Sequence, residues 1–88
     1  MDTVAKYKAA AQRWAAMYKV EDQHDIDVAA SILMTRDKVM MGGSFVQAVV
    51  DNNLREAINR ADDTCVKYLK FFSIICNNCG SYEILNGQ

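Results

Sequence analysis

From Tyr68 to Cys76 nearly every position is apolar: Tyr68, Leu69, Phe71, Phe72, Ile74, Ile75 and Cys76. A helix that is apolar on every side has to be buried on every side. The chain offering that cover is short. Its 88 residues make one domain, and a domain of this size buries only about 60–65% of its unfolded surface. Hydrophobic residues make up 51% of the chain, ample for such a core, with Ala and Met supplying much of it. Helix-spaced aromatics near the N-terminus need cover as well, and a fold this small has few places to hide both sets. Closed symmetric association is the usual solution. The expectation is therefore a homodimer or larger, with Trp14, Tyr68, Phe71, Phe72 and Ile75 near the interface.

The apolar spacing is helical throughout. Val4, Tyr7, Ala11, Trp14 and Tyr18 recur at intervals of three and four, and the alanines between them raise helix propensity. A helix is expected over Thr3–Lys19. Glu21–Asp25 is polar and reads as a loop. Ile26, Ala29, Ala30, Leu33 and Met34 mark a second helix to about Val39, ended by Gly42. A hairpin turning at Thr35–Lys38 is the alternative. Ser44 is a good N-cap, and Val46, Val49, Val50, Leu54 and Ile58 carry helical spacing onward. Asn53-Leu54-Arg55-Glu56 has the form of a capping box, so a break is expected near Asn52. Asp62-Asp63 restarts the pattern, with acids placed to complement a helix dipole.

The fold expected is an all-α, compact domain over residues 1–80. It has three main helices, Thr3–Lys19, Ile26–Val39 and Ser44–Cys76, the last broken near Asn52. The tail over 81–88 is expected to dock as an extended arm or to fray. Core positions are Tyr7, Ala11, Trp14, Ile32, Leu33, Val46, Val50, Leu54, Ile58, Leu69 and Phe72.

Several function classes fall away. A net charge of −1 argues against a nucleic-acid polymer as partner, since that binding needs clustered Lys and Arg. No window is long and apolar enough for a membrane span. The N-terminal MDTVAKYKAA lacks the apolar stretch of a secretion signal. Three cysteines without such a signal read as reduced thiols, and a cytoplasmic setting is expected. Cys76 and Cys79 have C-x-x-C spacing, but a zinc site needs two further ligands. Only Cys65 and His24 remain, in distant segments, so neither metal nor cofactor is expected. His24 has no evident nucleophile to activate and reads as a solvated loop residue. No nucleophile, base and oxyanion set can be assembled, so the chain is not expected to be an enzyme.

Gly42-Gly43-Ser44 is the most specific chemical feature. It is the chain's only double glycine, and the chain has no proline. Glycines before a helix start leave backbone N–H groups open to an anion. Arg36 and Lys38, just upstream, are placed to neutralise phosphates. The spacing fits neither a Walker A loop nor a dinucleotide fingerprint. A C-cap glycine, a turn and a Ser N-cap explain the same residues without any ligand.

The segment VAASILMTRDKVMMGGSFVQAVVDNNLREAINRADDTCVKYLKFF, about half of the chain, resembles small helical accessory proteins of tailed bacteriophages. The resemblance centres on Gly42-Gly43-Ser44-Phe45-Val46 and Arg60-Ala61-Asp62. It implies a non-catalytic protein in the cytoplasm of an infected bacterium, acting on host defence by binding. Two partners remain open. One is a small phosphorylated ligand of nucleotide type, sequestered at Arg36, Lys38, Gly42, Gly43 and Ser44 and enclosed by a subunit interface. The other is a host protein whose complex is inhibited.

Overall fold

The computed structural model describes residues 2–87, with the backbone alone at Thr64. Met1 and Gln88, the outer ends of the expected domain and tail, lie outside the described residues. The chain is all-α, with no strand among the described residues, so the hairpin alternative at Thr35–Lys38 is not taken. In chain order the helices are α1 (Thr3–Met17), α2 (Gln23–Arg36), α3 (Ser44–Val50), α4 (Leu54–Arg60), α5 (Asp63–Lys67), α6 (Leu69–Asn78) and α7 (Ser81–Asn86).

Asp2 and Asp22 start the first two helices, their carboxylates accepting from the Ala5 and His24 N–H groups. The polar segment Glu21–Asp25 is thus only partly loop, because Asp22 caps a helix that already includes His24. α2 is the central element. It packs against α1 on one side and against α3 and α6 on others. Ala10, Ala11 and Ala15 of α1 and Ala29 and Ala30 of α2 all lie in the one buried cluster, a set of small side chains on two helices that pack against each other.

The expectation of one broken helix over Ser44–Cys76 is corrected: that stretch is four helices, α3 to α6. The first break falls where the asparagines placed it. Asn52 takes a positive φ of 58°, and the Asn53 side chain accepts from the Glu56 N–H, capping α4. The further breaks come at Ala61-Asp62 and at Tyr68. The C-terminal residues expected as an extended arm form α7 instead. Glu83 anchors it, accepting from the Gly80 N–H and from the Trp14 indole N–H of α1.

Helix ends hold the other difference. α2 stops at Arg36, well before Gly42. The ends of α1, α2 and α3 share one device. Val20 N–H donates to Ala15 O, Val39 N–H to Met34 O and Asn53 N–H to Ala48 O, at 2.9, 2.8 and 2.8 Å. In each case the preceding residue, Lys19, Lys38 or Asn52, is left-handed. This is the Schellman closure, which usually places Gly at that position.

α6 is covered by its own chain. Phe72 and Ile75 are fully buried and Phe71 nearly so. Phe72 meets Phe45 edge-on at 5.8 Å, and Phe71 meets Tyr18 at the same centroid distance. Phe71, Phe72 and Ile75, expected near a subunit interface, are thus packed within their own chain, while Trp14 and Tyr68 are half-buried. Of the expected core, Leu54 and Ile58 are exposed instead, at 62% and 48%. Among the described residues no helix is long and apolar enough to cross a membrane.

Candidate functional site

Arg36, expected to meet a phosphate beside Gly42, is occupied elsewhere. Its Nη1 donates to the carbonyls of Cys76 (2.8 Å) and Cys79 (2.6 Å), satisfying acceptors that α6 leaves open at its C-terminus. Its Nε and Nη2 grip Asp37 at 2.8 and 3.1 Å. Asp37 also accepts from the Tyr7 hydroxyl at 2.7 Å and the Ser81 hydroxyl at 2.9 Å. One carboxylate and one guanidinium thus tie together α1, α2, α6 and the start of α7. Burial works against the Asp37 charge, but the bonds from Arg36, Tyr7 and Ser81 outweigh it and hold its pKa below the usual carboxylate range. Burial, followed by the hydrogen bond to Asp37, pushes Tyr7 up to about 12.

The two glycines have different surroundings. A Cβ on Gly42 would lie 2.6 Å from Ser31 Oγ and 2.8 Å from Val46 Cγ1. Its N–H donates to Thr35 Oγ1, and its carbonyl accepts from Gln47 Nε2. Gly42 is a packing glycine with both backbone groups satisfied. Gly43 is the exposed N-cap of α3, and a Cβ there would meet nothing within 4 Å. Ser44 and Lys38 are exposed as well. The expected five-residue set is therefore split: Gly43 and Ser44 stay open, Gly42 is packed, and Arg36 is bound into the network at the end of α6.

Two further features come from the tertiary structure: the exposure of one pair and the meeting of three distant residues. Leu54 and Ile58 stand one turn apart on α4, both exposed. Leu54 borders a shallow groove with Ala48, Val49, Ala57 and Leu69, between α3, α4 and α6. The second grouping joins His24, at the start of α2, to Asp62 and Cys65 at the start of α5. His24 Nε2 lies 3.4 Å from Asp62 Oδ2, and the ligand-type atoms of all three residues fall within 4.8 Å of one another. Asp62 also accepts from the Cys65 N–H at 2.8 Å, capping α5. His24 and Cys65 stand out in the sequence as metal-ligand types. Their meeting depends on the path through α3 and α4, which no spacing rule encodes.

The thiols are not activated. Burial pushes Cys65 and Cys79 up to about 11 and raises Cys76 as well. Comparison with protein-family models, with curated proteins and with solved structures finds no match for the chain.

Proposed function

We propose that the chain is a non-catalytic binding protein whose partner is a protein with an apolar helical surface, engaged by Leu54 and Ile58 of α4. The observation carrying this reading is the exposure of these two large side chains, one helical turn apart, with Leu54 beside a shallow groove of mixed character that Asn52, Asn53 and Ser73 also line. Spacing at i, i+4 suits an anchor pair for a partner helix. Arg55 lies beside the pair, while Arg60 is already matched by Glu56 at 3.3 Å on the same helix. Three thiols held above their ordinary range support a role without nucleophilic catalysis. The resemblance to bacteriophage accessory proteins makes a regulatory or defence protein of an infected bacterium the fitting target.

Affinity capture from bacterial lysate is the test, with wild type, Leu54→Asp/Ile58→Asp and Tyr82→Asp compared side by side. A partner retained by wild type and Tyr82→Asp but lost by the α4 double variant is expected. Retention by all three would sink the reading. Light scattering at micromolar concentration addresses the homodimer or larger. An oligomer dissolved by the α4 double variant would mean that this face pairs two copies of the chain.

A second reading keeps the small phosphorylated ligand, because Gly43 is open to approach and its N–H neighbours begin a helix. Here a nucleotide at one hundred times its dissociation constant should stabilise the protein by about 2.7 kcal/mol. Gly43→Val should abolish that shift without loss of helical circular dichroism, since the added side chain meets nothing of the protein's own. A nucleotide screen that leaves the melting curve unmoved ends this reading.

A further inference from the structure

We propose that His24, Asp62 and Cys65 form a binding site for a divalent transition metal ion, zinc in preference to calcium or magnesium, which fastens the start of α5 to the start of α2. The three side chains offer an imidazole nitrogen, a carboxylate oxygen and a sulfur, all within 4.8 Å of one another. That mixed set suits zinc, whereas calcium and magnesium take oxygen ligands. Metal–ligand bonds of about 2.0–2.3 Å in a tetrahedron put ligand atoms about 3.3–3.8 Å apart. His24 Nε2 and Asp62 Oδ2 already stand at 3.4 Å. Both side chains are 59% exposed, so small rotations suffice to bring them onto the sulfur, and solvent can fill the fourth position. Cys65 is buried and held by the cap that Asp62 makes to its N–H, which makes the sulfur the fixed point of the site.

Binding breaks the Cys65 S–H bond. The proton leaves to solvent, and the sulfur electron pair forms the bond to the metal. His24 donates the Nε2 lone pair of its neutral ring, and Asp62 binds as the carboxylate. No electron changes hands, and one proton is released for each ion bound. The site is distinct from the C-x-x-C pair, since Cys76 and Cys79 lie at the other end of α6 with their carbonyls held by Arg36.

Cobalt(II) titration of the reduced, chelator-treated protein tests the proposal, because a cobalt–thiolate bond absorbs in the near ultraviolet. The expected result is that band at one equivalent, displaced by zinc, with the melting temperature raised by zinc. Cys65→Ser should lose the band. His24→Ala changes an exposed side chain and leaves the α5 cap intact, so it should fold normally and weaken cobalt binding at least tenfold. Cys76→Ala/Cys79→Ala should keep the band. Absence of the band and of a zinc-dependent melting shift would overturn the proposal. So would a band that survives Cys65→Ser or disappears in the Cys76/Cys79 variant.

Discussion

Gly42 and Gly43 are neighbours of one residue type with opposite tolerance for a side chain. At Gly42 a methyl group would press on Ser31 and on Val46 at the first turn of α3, where neither the α2 nor the α3 backbone can withdraw freely. Gly42→Ala should therefore cost about 1–3 kcal/mol, the usual range for an overpacked site. Gly43 has open space and a β-region φ of −72°, and it caps α3 without a side-chain hydrogen bond. Gly43→Ser should leave stability unchanged or raise it by about 0.5 kcal/mol, because a hydroxyl can accept from a free N–H of the first turn. Urea unfolding midpoints of the two variants check both outcomes. Equal losses at both positions would show that the pair acts as a single hinge rather than as a packed residue followed by an open one.

At the scale of the helix, the recurrent feature is the left-handed residue that closes α1, α2 and α3. Lys19 and Lys38 hold φ values of 59° and 62°, where a Cβ is unfavourable by about 1–2 kcal/mol. The hydrogen bonds from Val20 and Val39 and the burial of Val20 hold the chain in that turn. Glycine relieves the steric cost but adds unfolded-state entropy. Lys38→Gly should accordingly raise stability by about 0.5 kcal/mol, and Lys19→Gly/Lys38→Gly by roughly twice that, since the two ends are well separated. Chemical denaturation measures this, and a loss of stability would mean that the lysine side chains make contacts worth more than the backbone strain.

For the whole molecule, the Arg36–Asp37 pair joins elements that the hydrophobic cluster only brings near. Replacing Asp37 with Asn leaves Arg36 without its carboxylate and weakens the bonds from Tyr7 and Ser81, at an expected cost of about 2–3 kcal/mol. The pH dependence follows from the same contacts. The folded pKa of Asp37 lies below its ordinary 3.8, so its contribution is complete above that value and is lost as pH falls below it toward the folded pKa. The Tyr7 hydroxyl is shifted up from 10.0 to about 12, so its contribution is complete below pH 10 and lost as pH rises through that interval. Urea midpoints across pH should fall on both flanks, and Asp37→Asn should flatten the acid one. An unchanged acid flank in the variant would assign it to other carboxylates.

Local rules carried the helices a long way. Helical periodicity and caps at Asp2, Asn53 and Asp62 act over three or four residues, so the all-α class and the break at Asn52 were legible in the sequence. The end of α2 was not, because a lysine, Lys38, stands where the closing turn usually shows glycine, and Gly42 offered a misleading stop. Apolar character alone also misjudged which surfaces are inside. The Tyr68–Cys76 segment is covered by α2, α3 and Tyr18 of its own chain, while Leu54 and Ile58 keep helical spacing on a helix that turns them to solvent. Arg36 has the chemistry of a phosphate ligand, but two α6 carbonyls and Asp37 reach it first. His24 and Cys65 are visible as ligand types, yet α2, α3 and α4 intervene between them. Which side of a helix is covered, and which distant residues meet, depends on the angles at which helices pack. Those angles are set by the sum of many side-chain contacts across the chain, which no short window of sequence contains.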